Sequence, residues 1–249
     1  MIINPTPAEL AARFTPDSKV VVLTGAGVSA ESGIATFRDK TTGLWSKFNP
    51  KDLADFTAFL RDPELVWQWY QFRKDTIQSV LPNAGHFALV EMQKLFGDFT
   101  LVTQNIDNLH QRAGSTRVLE LHGNIERNYC ISCGTGKEEI TELPPRCDRC
   151  GGLVRPDVVW FGEQLPVGVL ENAFRKTDEC TIFMVIGTSA EVYPAARLPF
   201  DAARQGKLVM VINPEETPVS VLSGYHVFAR SGEFLPLLVN EIRKQFETR

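Results

Sequence analysis

The chain has 249 residues, 43% of them apolar and 22% charged, with a formal net charge of −4. That length and composition are enough to bury the core of one large domain, with room for a small inserted module, and they exclude a disordered chain. The acidic balance argues against nucleic-acid binding through a general basic surface, and no apolar run reaches the roughly eighteen residues of a membrane span. The start, Met1-Ile2-Ile3-Asn4-Pro5, lacks a signal-peptide pattern, so a cytoplasmic protein with no membrane partner and no specific nucleic-acid partner is expected.

Thr6 reads as the N-cap of a helix over Pro7–Phe14. The run Val20-Val21-Val22-Leu23 predicts a buried parallel strand, and Gly25-x-Gly27-x-x-Ala30 follows it with the spacing of a dinucleotide fingerprint. Its backbone N–H groups are expected to face a pyrophosphate. Alone this hexapeptide is weak, because a plain strand-to-helix turn looks the same. Phe37-Arg38-Asp39 and Thr41–Trp45 stand where a dehydrogenase continues to its second strand, so simple hydride transfer is not expected.

Two helices are predicted over Leu53–Leu60 and Pro63–Val80, with Asp62 capping the second and Pro63 in its first turn. Most of Trp67, Trp69, Tyr70 and Phe72 read as core. Tyr70 and Arg73, three apart, share a helical face on which a phenol and a guanidinium can meet one anion. A helix over Asn83–Phe96 precedes a strand over Asp98–Val102, which ends in Thr103-Gln104-Asn105-Ile106-Asp107-Asn108-Leu109-His110. Open α/β sheets place ligands at such strand ends, although Asn and Asp also favour plain turns. A strand over Val118–Leu121 delivers His122 beside Gly123, a candidate general base; most isolated histidines have no catalytic role.

Cys130, Cys133, Cys147 and Cys150 form two C-x-x-C pairs separated by thirteen residues, the spacing of a tetrahedral thiolate zinc site. Two redox pairs are the alternative, but Gly134 and Gly151-Gly152 favour the turns of a zinc ribbon. Cys180 reads as core. The segment Arg155–Glu163 returns from this insertion with backbone that an extended peptide can pair with. Buried strands over Thr181–Ile186 and Leu208–Ile212, a helix over Ala195–Gln205, a short strand over His226–Ala229 and a closing helix over Glu233–Phe246 complete a doubly wound α/β parallel sheet.

Taken in order, Gly25-Ala26-Gly27, Thr103 to Asp107, His122-Gly123-Asn124, the four cysteines, Val159-Trp160-Phe161-Gly162-Glu163, Gly187-Thr188-Ser189 and Ile212-Asn213 resemble the sirtuins, NAD-dependent protein deacylases, over about residues 15–245. The resemblance implies a Rossmann-like NAD-binding domain (1–38, 76–126, 156–249), a segment with the cofactor loop and acyl pocket (39–75), and a zinc module (127–155). It places Gly25, Ala26, Gly27 and Ser29 at the phosphates and Phe37 and Arg38 on the loop over the nicotinamide side. Asn105, Ile106 and Asp107 fall at the carboxamide and Gln104 near its ribose. Gly187, Thr188, Ser189 and Asn213 fall at the adenosine half, with Ser231 at the adenine end.

The implied partner is an acylated lysine on an extended peptide, held near Val159, Phe161 and Gly162. Its acyl oxygen attacks the nicotinamide ribose as nicotinamide leaves. His122, with Asn105 and Asp107 as catalytic companions, then takes a ribose proton, and the acyl group ends on ADP-ribose. One zinc ion is structural, since four thiolates leave no open position. Thr36 and Trp45 depart from the commonest sirtuin pattern, while Tyr70-Gln71-Phe72-Arg73 and Ala54 resemble the branch that removes succinyl and malonyl groups. A mono-ADP-ribosyltransferase using the same NAD site and a non-catalytic NAD-sensing module are the rival readings.

Overall fold

The computed structural model describes residues 3–35 and 53–248. Six parallel strands form the main sheet: β1 (Val20–Thr24), β2 (Phe99–Thr103), β3 (Val118–Glu120), β6 (Ile182–Ile186), β7 (Leu208–Ile212) and β8 (Tyr225–Val227), in the order β3-β2-β1-β6-β7-β8. The two numbers missing from that order belong to an antiparallel pair, β4 (Gly123–Cys130) and β5 (Val154–Val158). Strand order reverses between β1 and β6, and a doubly wound sheet opens its ligand crevice at the carboxyl ends of such neighbours.

Alternation along the strands explains why both faces are covered. Val20 and Val22 point into one apolar cluster with Leu101, Met184 and Ile186; Val21 and Leu23 point into another with Val102, Phe183 and Val185. The first is roofed by α5 (Ala84–Leu95) and α9 (Ser231–Glu247), which supplies Leu235, Leu238 and Ile242. The second is roofed by α7 (Val167–Glu179) and α8 (Arg197–Arg204).

Helix starts follow local chemistry. Thr6 caps α1 (Pro7–Ala11) in a reciprocal box with Glu9. Asp55 accepts from Ala58 N, so α3 runs Phe56–Arg61, three residues later than the apolar pattern begins. Asp62 accepts from Leu65 N and starts α4 (Pro63–Gln78).

A third cluster joins α3 and α4 to the β4–β5 pair: Phe59, Trp67, Trp69 and Tyr70 pack with Val154, Val158 and Trp160. Trp67 Nε1 donates to Val154 O at 2.8 Å, and Lys74 Nζ to Asn128 Oδ1 at 2.7 Å. No helix among the described residues is long and apolar enough to cross a membrane.

Candidate active site

The loops after β1, β2, β3, β6 and β7 converge on the crevice. Side chains at Gly25 and Gly27 are excluded by the chain itself: a Cβ on Gly25 would lie 2.5 Å from Thr188 Cβ, and one on Gly27 would lie 2.7 Å from Gly187 O. The same proximity corrects one expectation. Gly25 N–H donates to Ile186 O and Gly27 N–H to Gly187 O at 2.8 Å, so these two amides tie the β1 and β6 loops together instead of facing an anion.

The loop after β2 is locked from several sides. Gln104 Nε2 donates to Thr188 Oγ1 at 3.0 Å. Asn105 Nδ2 donates to Gly25 O at 3.0 Å and Ser29 Oγ at 3.2 Å, which leaves its Oδ1 without a donor among the described residues. Ser29, 1% exposed, donates to Asp107 Oδ2 at 2.6 Å, while Asp107 Oδ1 accepts from Leu109 N. Burial pushes the Asp107 carboxyl up, opposed by the Ser29 hydrogen bond and by the nearby charge of Arg73. Ile106 packs against the third cluster, and its carbonyl accepts from Ile125 N.

His122 hangs from the end of β3. Its Nδ1 lies 2.9 Å from Gln104 O, and because a carbonyl only accepts, Nδ1 carries the hydrogen and Nε2 the lone pair. No described residue engages Nε2. Burial lowers the pKa of the imidazole, opposed by the bond to Gln104. Geometry and charge state therefore both suit a base.

Beneath this lies a network that the motifs did not reveal. Thr24 Oγ1 donates to Thr103 Oγ1 at 2.9 Å, so His110 Nε2, 3.0 Å from Thr24 Oγ1, carries the hydrogen. Thr103 Oγ1 in turn accepts from Asn105 N at 3.0 Å, so the network ends at the crevice. The ring of His86 packs 4.8 Å from that of His110, which lies in α6 (Leu109–Ala113). Desolvation pushes His86 down to about 4; desolvation, and then the charge of His86, push His110 down to about 3. Both folded-state pKa values lie below the unfolded value near 6.5, so the unfolded chain binds more protons as pH falls. Stability is expected to drop from pH 7 to pH 5 by up to about 1.4 kcal/mol per unit for each ring, read by urea unfolding. A slope that persists in a His86→Gln/His110→Gln variant would contradict this.

Another side of the third cluster is built by α4 and the segment after β5. Tyr70, 1% exposed, receives a hydrogen bond from Trp160 Nε1 at 2.8 Å. The Arg73 guanidinium lies 4.9 Å from the Trp69 ring centroid and 5.9 Å from that of Tyr70. Ala54, small and buried, lies in the same cluster, and its carbonyl accepts from Phe161 N. Val159 N donates to His122 O and Trp160 N to Glu163 Oε2, so these N–H groups, with that of Phe161, are engaged within the chain. Gly162 is exposed at φ +84°.

The family model described as Sir2 matches residues 25–194. The chain belongs to the Sir2 family. Its relatives include an NAD-dependent protein deacylase of Aquifex aeolicus (strain VF5), 48% identical over 92% of this chain and 98% of that protein. A Sir2 homologue solved as an NAD complex matches with a TM-score of 0.92 and 42% identity, covering 99% of this chain and 97% of the other. A Sir2 solved with an inhibitor, 2′-O-acetyl-ADP-ribose and a deacetylated p53 peptide matches with a TM-score of 0.77 and 35% identity, covering 89% and 93%.

Within this Sir2 fold the four cysteine sulfurs lie within 4.8 Å of one another, with Cys130–Cys150 at 3.5 Å, Cys133–Cys147 at 3.7 Å and Cys133–Cys150 at 3.4 Å. A tetrahedron of Zn–S bonds about 2.3 Å long has edges near 3.8 Å, so this donor set fits one zinc ion and not two separate redox pairs. Cys130 and Cys147 belong to the third apolar cluster, which ties this donor set to the packing of Tyr70 and Trp160. Cys147→Ser is expected to lose stoichiometric zinc and to melt earlier before it loses chemistry. Unchanged melting with lost activity would contradict a structural role.

After β6, Gly187 sits at φ +59° against Gly27, Thr188 Oγ1 also accepts from Ala190 N, and Ser189 is half-buried beside it. Asn213 N donates to Val227 O, and its carbonyl accepts from His226 Nε2 at 2.8 Å. Ser231 is buried and spends its hydroxyl on Glu31 Oε2 at 3.0 Å. Ala26 opens α2 (Ala26–Ala30). Phe37 and Arg38, with Thr36 and Trp45, lie outside the described residues.

Proposed function

We propose that the chain is an NAD-dependent protein-lysine deacylase that removes succinyl and malonyl groups as well as acetyl. The deacylation reading rests above all on His122, whose tautomer is fixed by Gln104 O so that Nε2 presents a lone pair to the crevice. NAD supplies a ribose carbon activated by a good leaving group. Asn105 offers Oδ1 and Asp107 a carboxyl set by Ser29, a pair suited to both ends of a carboxamide, with Ile106 alongside. Gln104 holds the ribose. The loops of Gly25, Ala26 and Gly27 admit the phosphates by close approach, and Gly187, Thr188, Ser189 and Asn213 take the adenosine, with Ser231 at its far end through the backbone.

A ribose hydroxyl is a poor nucleophile until its proton is removed, and His122 Nε2, neutral at pH 7, accepts that proton. As nicotinamide leaves, the acyl oxygen would bond to the ribose carbon; the freed hydroxyl oxygen would then bond to the acyl carbon, lysine would leave as the amine, and one water would be consumed as O-acyl-ADP-ribose is released. An extended peptide carries the lysine past Val159, Phe161 and Gly162, alongside the backbone of that segment. The acidic-acyl reading is supported by Tyr70 and Arg73, both hydrogen-bond donors, one turn apart, with small Ala54 in the same cluster.

The test uses NAD labelled in its ADP-ribose moiety with an acetyl-lysine peptide. Label in a small O-acyl-ADP-ribose, matched by freed lysine and nicotinamide, is expected. Label transferred to protein with the acyl group retained would favour the ADP-ribosyltransferase reading instead.

A further inference from the structure

The hydrogen bond between Trp160 and Tyr70 has a direction that needs no assignment. An indole nitrogen only donates, so at 2.8 Å the hydrogen of Trp160 Nε1 points at the phenol oxygen. The phenol hydrogen must then be given elsewhere, and no described residue accepts it, although Tyr70 is 1% exposed. Buried donors are normally satisfied, so an exception beside a ligand crevice asks for a ligand that accepts. Arg73, also a pure donor, lies 5.9 Å from the same ring.

Trp160 is held on its remaining sides. Its own N–H donates to Glu163 Oε2 at 2.8 Å. The Arg155 guanidinium lies 3.4 Å from the Trp160 ring centroid, donates to Glu163 Oε2 at 2.9 Å and to Val158 O at 2.8 Å, and is itself 3% exposed. Phe59 packs 5.2 Å from the Trp160 ring. The indole is thus a fixed donor and the phenol a movable one.

We propose that Trp160 is a specificity-determining positioning residue: donating from a ring locked by Arg155 and Glu163, it turns the Tyr70 O–H toward the distal carboxylate of an acidic acyl group beside Arg73. This rests on the reading of Tyr70 and Arg73 as acyl ligands. Acetyl-lysine has no such carboxylate, so the Trp160–Tyr70 bond acts on substrate choice and not on the chemical step. Burial keeps the phenol protonated by raising its pKa to about 12, and it stays a donor at neutral pH.

The test compares Trp160→Phe, Tyr70→Phe and the double variant on succinyl- and acetyl-lysine forms of one peptide. Trp160→Phe is expected to raise KM for the succinyl form about 5- to 10-fold relative to the acetyl form, with a smaller change in kcat. The double variant should be no worse than Tyr70→Phe, because the indole works through the phenol. A succinyl-to-acetyl ratio left at the wild-type value, or losses that multiply in the double variant, would overturn the proposal while the acidic-acyl reading stands. A wild type that turns over only the acetyl form overturns that reading and this inference together. Should Trp160→Phe fold poorly, hydrogen exchange of the Trp160 indole proton decides: slow in wild type and faster in Tyr70→Phe is expected, and equal rates overturn the proposal.

Discussion

Arg73→Met is expected to lower kcat/KM for a succinyl-lysine peptide roughly 10- to 100-fold more than for the acetyl-lysine peptide, the range of one lost charge-assisted hydrogen bond. Methionine keeps much of the volume against Trp69 while removing every donor. The readout has to be a ratio, because Arg73 also acts on Asp107, where its charge opposes the upward push of burial on the carboxyl. Removing that charge taxes both substrates through Asp107, and only the excess on the succinyl form reports acyl recognition. Burial already lowers the pKa of the guanidinium, opposed by Tyr70 and Asp107, so an anion arriving here meets a poorly hydrated cation. Equal losses on both peptides would remove Arg73 from the acyl site.

His122→Ala should cost deacylation about 10²- to 10⁴-fold, the usual worth of a positioned base. The fold should survive, since the half-buried ring gives up one bond to Gln104 O; a shift in Tm of about 2–4 °C per kcal/mol lost is the scale for a chain of this size. In the wild type the acid limb of kcat/KM must reflect protonation of Nε2. Burial disfavours the cation, so the limb should fall below pH 6.5, the value of an ordinary histidine. A midpoint at or above that value, or a variant with wild-type turnover, would take the base away from His122.

The parallel sheet was legible because its strands are β-branched runs that end abruptly in glycine or polar residues, as at Val20–Thr24 and Leu208–Ile212. Caps were legible for a similar local reason, with Thr6 and Asp62 both accepting from the first turns of their helices. Helix α7 was not foreseen: it starts at Val167-Gly168-Val169 behind Pro166, with no side-chain cap, and is made by its packing on the second cluster. The engagement of the Gly25 and Gly27 amides was hidden too, because it depends on Gly187, which only the folded sheet brings alongside.

The zinc cluster followed from spacing alone. By contrast, the link from His110 through Thr24 and Thr103 to Asn105 joins residues from two strands and a helix with no shared motif. A threonine closing both β1 and β2 was the only local sign of it. Tyr70 and Arg73 could be placed on one face from their interval of three, but Trp160 lies ninety residues away from Tyr70, and its hold on the phenol needed the fold.

One peptide carrying acetyl, malonyl or succinyl on the same lysine, incubated with the wild-type protein with and without NAD and then weighed by mass spectrometry, puts the whole assignment at risk. All three forms should lose their acyl group only when NAD is present, with one nicotinamide released for each lysine freed. Loss of acetyl alone, or release of any acyl group without NAD, would contradict it.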